Sequence, residues 1–240
     1  MQIQKNTDNV LKHEFDDYIE KYRDNQNKDV RLSGETGEFF AEYKVQKMAS
    51  WFQEYVKKPV DILDFGCGDG LMTQYAHKYF PKATIRGIDP SSKSIAYAEH
   101  ASMKDNIKFD VLEGDTLLYD DKSFDLTYAA GVFHHIKFDQ HEHFIGELAR
   151  ITKKGGRIII FELNPFNPLT LHTFRNSPID KNATLLFPRY TKSISRSIGK
   201  VSTKYYCFFP SFARKLRILE PYMTWCPIGA LYATIIEVEK

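Results

Sequence analysis

The chain has 240 residues, 42% of them hydrophobic and 27% charged, with a net charge of +2. That is the composition of an ordinary soluble globular protein, long enough for one well-cored domain with a modest addition. No run approaches the roughly 18 apolar residues of a membrane span, and the polar N-terminus lacks a signal-peptide core. Three cysteines in unrelated contexts argue for a reducing compartment rather than a disulfide framework, so a cytoplasmic protein is expected.

The small net charge hides an asymmetry. Residues 1–150 carry 19 basic against 26 acidic side chains, and residues 151–240 carry 14 against 5. From Lys181 to Arg217 there are nine basic residues and no acidic one. Such a run is either a solvated face or a surface that meets an anion.

The N-terminal part, residues 1–58, reads as a helical cap. It holds one helix from about His13 to Tyr22 and another to about Tyr55, with Phe40, Tyr43, Lys47, Met48, Trp51, Phe52 and Tyr55 at helical spacing. A loop, "NKDVRLSGETGE", separates them. From residue 59 strands and helices alternate: "VDILDF" and "TIRGIDP" are strands each followed by a helix, "IKFDVLEGD" is a strand that leads to the strand "SFDLTYAAGVF", and "GGRIIIFEL" is a strand preceded by a helix. Asp139 and Glu142 form a candidate capping box before the helix through Ile145, Leu148 and Ile151. "KVSTKYYCFF" and "ALYATIIEVE" are two further strands. The pattern predicts an α/β fold, a doubly wound and mostly parallel seven-stranded sheet with an antiparallel last strand. Residues 59–240 form this domain, with insertions at about 164–190 and 210–229.

In such sheets ligands sit beyond the carboxyl ends of the strands. "ILDFGCGDG" puts Asp64, Gly66, Gly68 and Gly70 at the end of the first strand, Asp89 follows the second, and Asp115 is expected at the end of the third. The fourth is expected to run out through Ala130, Gly131, Phe133 and His134. The spacing G-x-G-x-G differs from the G-x-G-x-x-G of a pyrophosphate binder. An acid after the second strand suits a ribose diol, so NAD is one candidate, but the extra carboxylates fit a cationic nucleoside better.

Together "LDFGCGDG", "GIDPSS", "LEGD" and "FDLTYAAGVFHHI" resemble the class I S-adenosylmethionine-dependent methyltransferases, strongly over about residues 60–165. The resemblance implies S-adenosylmethionine as cofactor, with Asp64 near its ammonium, Asp89 on its ribose, Asp115 at the adenine amino group, and the glycines beside its methionine tail. Cys67, Pro90, Thr116 and Ala130 complete the expected cofactor site. "VFHH" resembles the segment of small-molecule O-methyltransferases in which a histidine deprotonates the acceptor. His134, and secondarily His135, are therefore the expected catalytic residues. Many relatives need no base and rely on proximity.

The Asn/Asp-Pro-Pro-aromatic motif of base-methylating enzymes and the Pro-Cys of cytosine-C5 enzymes are both missing after the fourth strand. A small-molecule acceptor is thus favoured and a nucleic-acid acceptor disfavoured; the resemblance around "VFHH" implies a small or amphipathic acceptor methylated at oxygen. An anionic or lipid-linked acceptor is permitted by a basic roof containing Arg175, Arg189, Arg214, Lys215 and Arg217. Two rivals stay open: an RNA methyltransferase using the basic segment, and a non-catalytic cofactor-binding partner protein. No metal is expected, because His141 and His143, two apart on a helix, do not share a face.

Overall fold

The structure, a computed structural model, describes residues 27–102 and 104–239. The helix expected from His13 to Tyr22 lies outside the described residues. Seven strands form one sheet: β1 (Val60–Phe65), β2 (Ala83–Asp89), β3 (Ile107–Val111), β4 (Phe124–Ala130), β5 (Thr152–Leu163), β6 (Gly199–Tyr206) and β7 (Leu231–Val238). Their order is β3-β2-β1-β4-β5-β7-β6. Strands β1 to β5 pair in parallel, and β7 runs antiparallel to both β5 and β6.

The central strands read as nearly continuous apolar runs because helices cover both faces, and neighbouring residues enter opposite cores. Ile62, Ile159 and Ile235 face one side; Leu63, Ile160 and Ile236 face the other. On the first side lie α1 (Gly37–Trp51), α2 (Gln53–Lys57) and α3 (Leu71–Tyr79). On the second lies α5 (His141–Ile151), whose Phe144, Ile145 and Leu148 are buried. A smaller cluster under α4 (Ser92–Ala101) joins Ile95 and Ala98 to Phe109 of β3. Val45 and Met48 of α1 are fully buried in the same core as Ile62 and Ile85. The portion of the expected cap that the structure describes is thus one of the layers covering the sheet.

Helix starts follow local chemistry. The Asp69 side chain accepts from Leu71 N ahead of α3, and Ser91 Oγ accepts from Ser94 N at the start of α4. The capping box expected at Asp139 and Glu142 does not form. Asp139 lies in a 3-10 turn, Phe138–Gln140, and Gln140 precedes α5 without a side-chain cap. The loop expected at residues 27–38 contains a 3-10 turn, Arg31–Ser33, preceded by helical residues.

Two strands stop earlier than expected. β3 ends at Val111, so Asp115 lies four residues beyond it in a loop that turns at Gly114 (φ 78°). β4 ends at Ala130 because Gly131 takes a φ of 71°, and Phe133–His135 forms a 3-10 turn instead. The insertions are structured. The first contains α6 (Pro168–Asn176) and leads to α7 (Pro188–Ser195); the second is a 3-10 segment, Ser211–Tyr222, kinked at Ala213.

Candidate active site

Strand order reverses between β1 and β4, the position at which open parallel sheets bind ligands. The segment after β1 meets Asp89 there. Gly66 N and Cys67 N both donate to Ile88 O, while Asp89 accepts from Gly68 N and Ser91 N, each at 2.9 Å. These bonds fix the glycine turn against the end of β2.

The three glycines have different reasons. A Cβ on Gly66 would lie 2.4 Å from Val132 Cγ2, and one on Gly70 would lie 2.8 Å from the Ala98 Cβ. Both are glycine because protein packs against them. Gly68 has a φ of 52° and open space where its Cβ would project. Gly66 and Gly70 thus face protein where a side chain would stand, while Gly68 leaves that space open. The Cys67 side chain points inward, 7% exposed, with its thiol pushed well up by burial, so the thiol is a packing group and not a reactive one.

Asp64 is 2% exposed and accepts from Thr73 Oγ1 at 2.6 Å. Burial pushes its carboxyl up to about 7, outweighing the Thr73 and Tyr128 hydroxyls that favour ionisation. Lys44 of α1, which the sequence reading missed, is held down by burial against the opposing charges of Glu162 and Asp64. It lines an apolar cavity of about 140 Å3 with Phe40, Leu163, Leu169, Thr170 and Leu231. A larger groove, about 600 Å3, runs along β2 and β3; of the expected site residues it contains Thr116. The strand-end geometry, rather than groove size, locates the candidate site. Pro90 and Ala130 lie at the ends of β2 and β4 as expected. Asp115 and Thr116 are exposed on their loop, bonded to each other, and Asp115 O accepts from His143.

His134 is buried with a carboxylate at each ring nitrogen. Nδ1 lies 2.5 Å from Glu162 Oε2, and Nε2 lies 3.4 Å from Asp180 Oδ1. Burial alone would lower its pKa, but Glu162 and Asp180 together push it up to about 10. At neutral pH His134 is an imidazolium with no free lone pair. His135, whose Nε2 is 3.6 Å from Asp180 Oδ1, is forced down to about 3 by burial and by the His134 charge. The two histidines and Asp180 bring three ligand-type atoms within 4.8 Å of one another. The opposed charges of His134 and Asp180 account for that convergence as an ion pair. Glu162 and Asp180 escaped the sequence reading because they arrive from β5 and from the insertion after it. His141 is a packing residue: its ring nitrogens bond Tyr190 Oη and the carbonyls of Phe133 and Ile136.

The basic roof divides. Arg217 is engaged, pairing with Glu35 at 2.7 Å, donating to Phe209 O and lying over the Phe39 ring. Arg175, Arg189, Arg214 and Lys215 are exposed.

The residues present fit a cationic nucleoside cofactor: a buried carboxyl at Asp64, a second carboxylate at Asp89, and an open backbone face at Gly68. Fold and site together define a Rossmann-like α/β domain built around such a cofactor. Residues 63–160 match the family described as methyltransferase domain. Over 108 residues the chain is 32% identical to the ubiquinone biosynthesis O-methyltransferase of Pelagibacter ubique, covering 45% of this chain and 43% of that protein. Over 109 residues it is 33% identical to the demethylmenaquinone methyltransferase of Thermotoga maritima, covering 45% and 46%. The aligned stretch thus spans less than half the length of either relative. A solved S-adenosylmethionine-dependent methyltransferase from Archaeoglobus fulgidus shares the fold, with a TM-score of 0.60 at 17% identity over 82% of this chain and 94% of that one. Residues 63–160 thus match a methyltransferase domain, and the fold around them is that of a solved S-adenosylmethionine-dependent methyltransferase.

Proposed function

We propose that the protein methylates a small, amphipathic acceptor at an oxygen of low basicity, such as a phenol or a carboxylate. The observation that carries this reading is the position of Lys44, a partly buried amine on an apolar cavity that feels the opposing charges of Glu162 and Asp64. S-adenosylmethionine supplies the methyl group from its sulfonium. Asp64 and Asp89 hold its ammonium and ribose, and Gly68 gives its tail backbone contact. Lys44 draws the acceptor's oxyanion into the cavity and keeps it ionised, so no strong base is required. Catalysis then rests on approach and alignment.

His134 and His135 take a part other than the one expected from the resemblance. His134, held as an imidazolium by Glu162 and Asp180, fixes the turn after β4 and offers positive charge beside the acceptor. The demethylmenaquinone named for one relative, and the ubiquinone biosynthesis named for the other, accord with an apolar acceptor. Incubation with labelled S-adenosylmethionine and a cell extract, followed by mass identification of the methylated product, tests the reading. Label entering a phenolic or carboxylate compound supports it, and label entering only RNA or an amine overturns it.

A further inference from the structure

Large apolar side chains exposed singly are normal, but a contiguous patch marks an interaction surface. Among the described residues, seven of the fourteen exposed large hydrophobic side chains fall between Phe212 and Ile228. Phe212 is 89% exposed, Tyr222 80%, Ile218 76% and Trp225 76%. The patch continues onto the neighbouring insertion. Asn167 Nδ2 donates to Ile228 O, and Phe166, half exposed beside it, stacks edge-on with exposed Phe187.

This presentation is built rather than loose. Glu220, the only acid in the second insertion, is 1% exposed. It accepts from Tyr43 Oη and Phe208 N and pairs with Lys47 at 3.4 Å. Arg217 ties the same segment to Glu35, and Tyr205 N donates to Thr224 O at its far end. The segment's inward side is thus polar and pinned, while its aromatic and aliphatic side chains face outward. The charges left outside are positive: Arg214 and Lys215 on the segment itself, with Arg189 near Tyr205. Exposed aromatics beside cations, with no exposed acid among residues 210–229, complement the interfacial region of an anionic lipid bilayer.

We propose that the face formed by Phe212 to Ile228 docks the protein on an anionic membrane surface. No helix among the described residues is long and apolar enough to cross a membrane, so the attachment is peripheral. Leu169, Ala230 and Leu231, which line the cavity holding Lys44, adjoin this face in the chain and through the Asn167–Ile228 bond. Where the proposed function holds, that adjacency lets an amphipathic acceptor pass from the bilayer to Lys44; the docking itself stands on the surface alone.

The test is co-sedimentation of the full chain with vesicles of phosphatidylglycerol and phosphatidylcholine, compared with phosphatidylcholine alone. The wild type should pellet with the anionic vesicles and release at high salt. A Phe212→Ser/Ile218→Ser/Trp225→Ser variant and an Arg214→Glu/Lys215→Glu variant should each lower the partition coefficient at least about tenfold. Both should keep the wild-type affinity for S-adenosylmethionine, which reports the fold independently of docking. Failure of the wild type to bind anionic vesicles overturns the proposal, as does equal binding by the variants. Concentration-dependent dimerisation that the serine variant abolishes, without vesicle binding, would assign the face to a second copy instead.

Discussion

Glu162 Oε2 lies 2.5 Å from His134 Nδ1, a buried pair that sets the protonation of the turn after β4. His134 is raised from its ordinary 6.5 to about 10, so the stability it contributes is complete below pH 6.5 and is lost as pH rises through 10. The difference in unfolding free energy between wild type and His134→Gln should therefore shrink between pH 6.5 and 10. Urea denaturation at several pH values measures it; a difference that grows with pH would contradict the assigned charge.

The same charge state governs turnover. With His134 already protonated, the rate should not fall as pH drops from 7.5 to 6 through a histidine titration near 6.5. His134→Gln should reduce kcat by less than about a hundredfold, the lower end of what loss of a general base produces. A decline centred near pH 6.5 that disappears in His134→Gln would restore the histidine as base.

Gly68, Gly66 and Gly70 should separate ligand approach from packing. Gly68→Ala places a methyl in open space at a φ of 52°, costing about 1–2 kcal/mol of backbone strain while lowering cofactor affinity at least about tenfold. Gly66→Ala and Gly70→Ala create protein clashes and should mainly lower the unfolding midpoint. Equal cofactor affinity in wild type and Gly68→Ala, by calorimetry, would remove Gly68 from the cofactor site.

How far the sequence carried is visible in these residues. Gly68, Asp64 and Asp89 are legible because one strand-turn-helix pattern and the next strand end determine their place. The distinction between Gly68 and its two companions is not legible, since it depends on Val132, Ala98 and Phe109 from other elements. The sheet was readable from alternating strands and helices, whereas the stop at Ala130 depends on Gly131 adopting a positive φ. Glu162 and Asp180 meet at His134 only through the fold, and the pairing of Arg217 with Glu35, 182 residues away, is not legible in the sequence.

Lys44→Met should raise KM for the acceptor at least about tenfold at pH 8 and change the cofactor dissociation constant by less than about threefold. Initial rates against acceptor concentration measure the first, and calorimetry the second. An unchanged KM would detach Lys44 from acceptor recognition.

Asp64 links cofactor binding to protons. Its carboxyl is raised from 3.8 to about 7 in the free protein, and the cofactor's ammonium favours the ionised form. Binding near or below pH 7 should therefore release a proton, and affinity should weaken as pH falls from 8 to 6. Calorimetry in buffers of different ionisation enthalpy counts the proton; uptake in place of release would contradict the placement.

The most direct measurement is calorimetric titration of the protein with S-adenosylmethionine, S-adenosylhomocysteine and NAD at pH 8, on wild type and Asp89→Ala. The account predicts one site for each of the first two, none for NAD, and a loss of at least about tenfold in Asp89→Ala, whose carboxylate offers two charge-assisted bonds of about 1.5–3 kcal/mol each. NAD binding without S-adenosylmethionine binding, or an Asp89→Ala affinity equal to wild type, would contradict it.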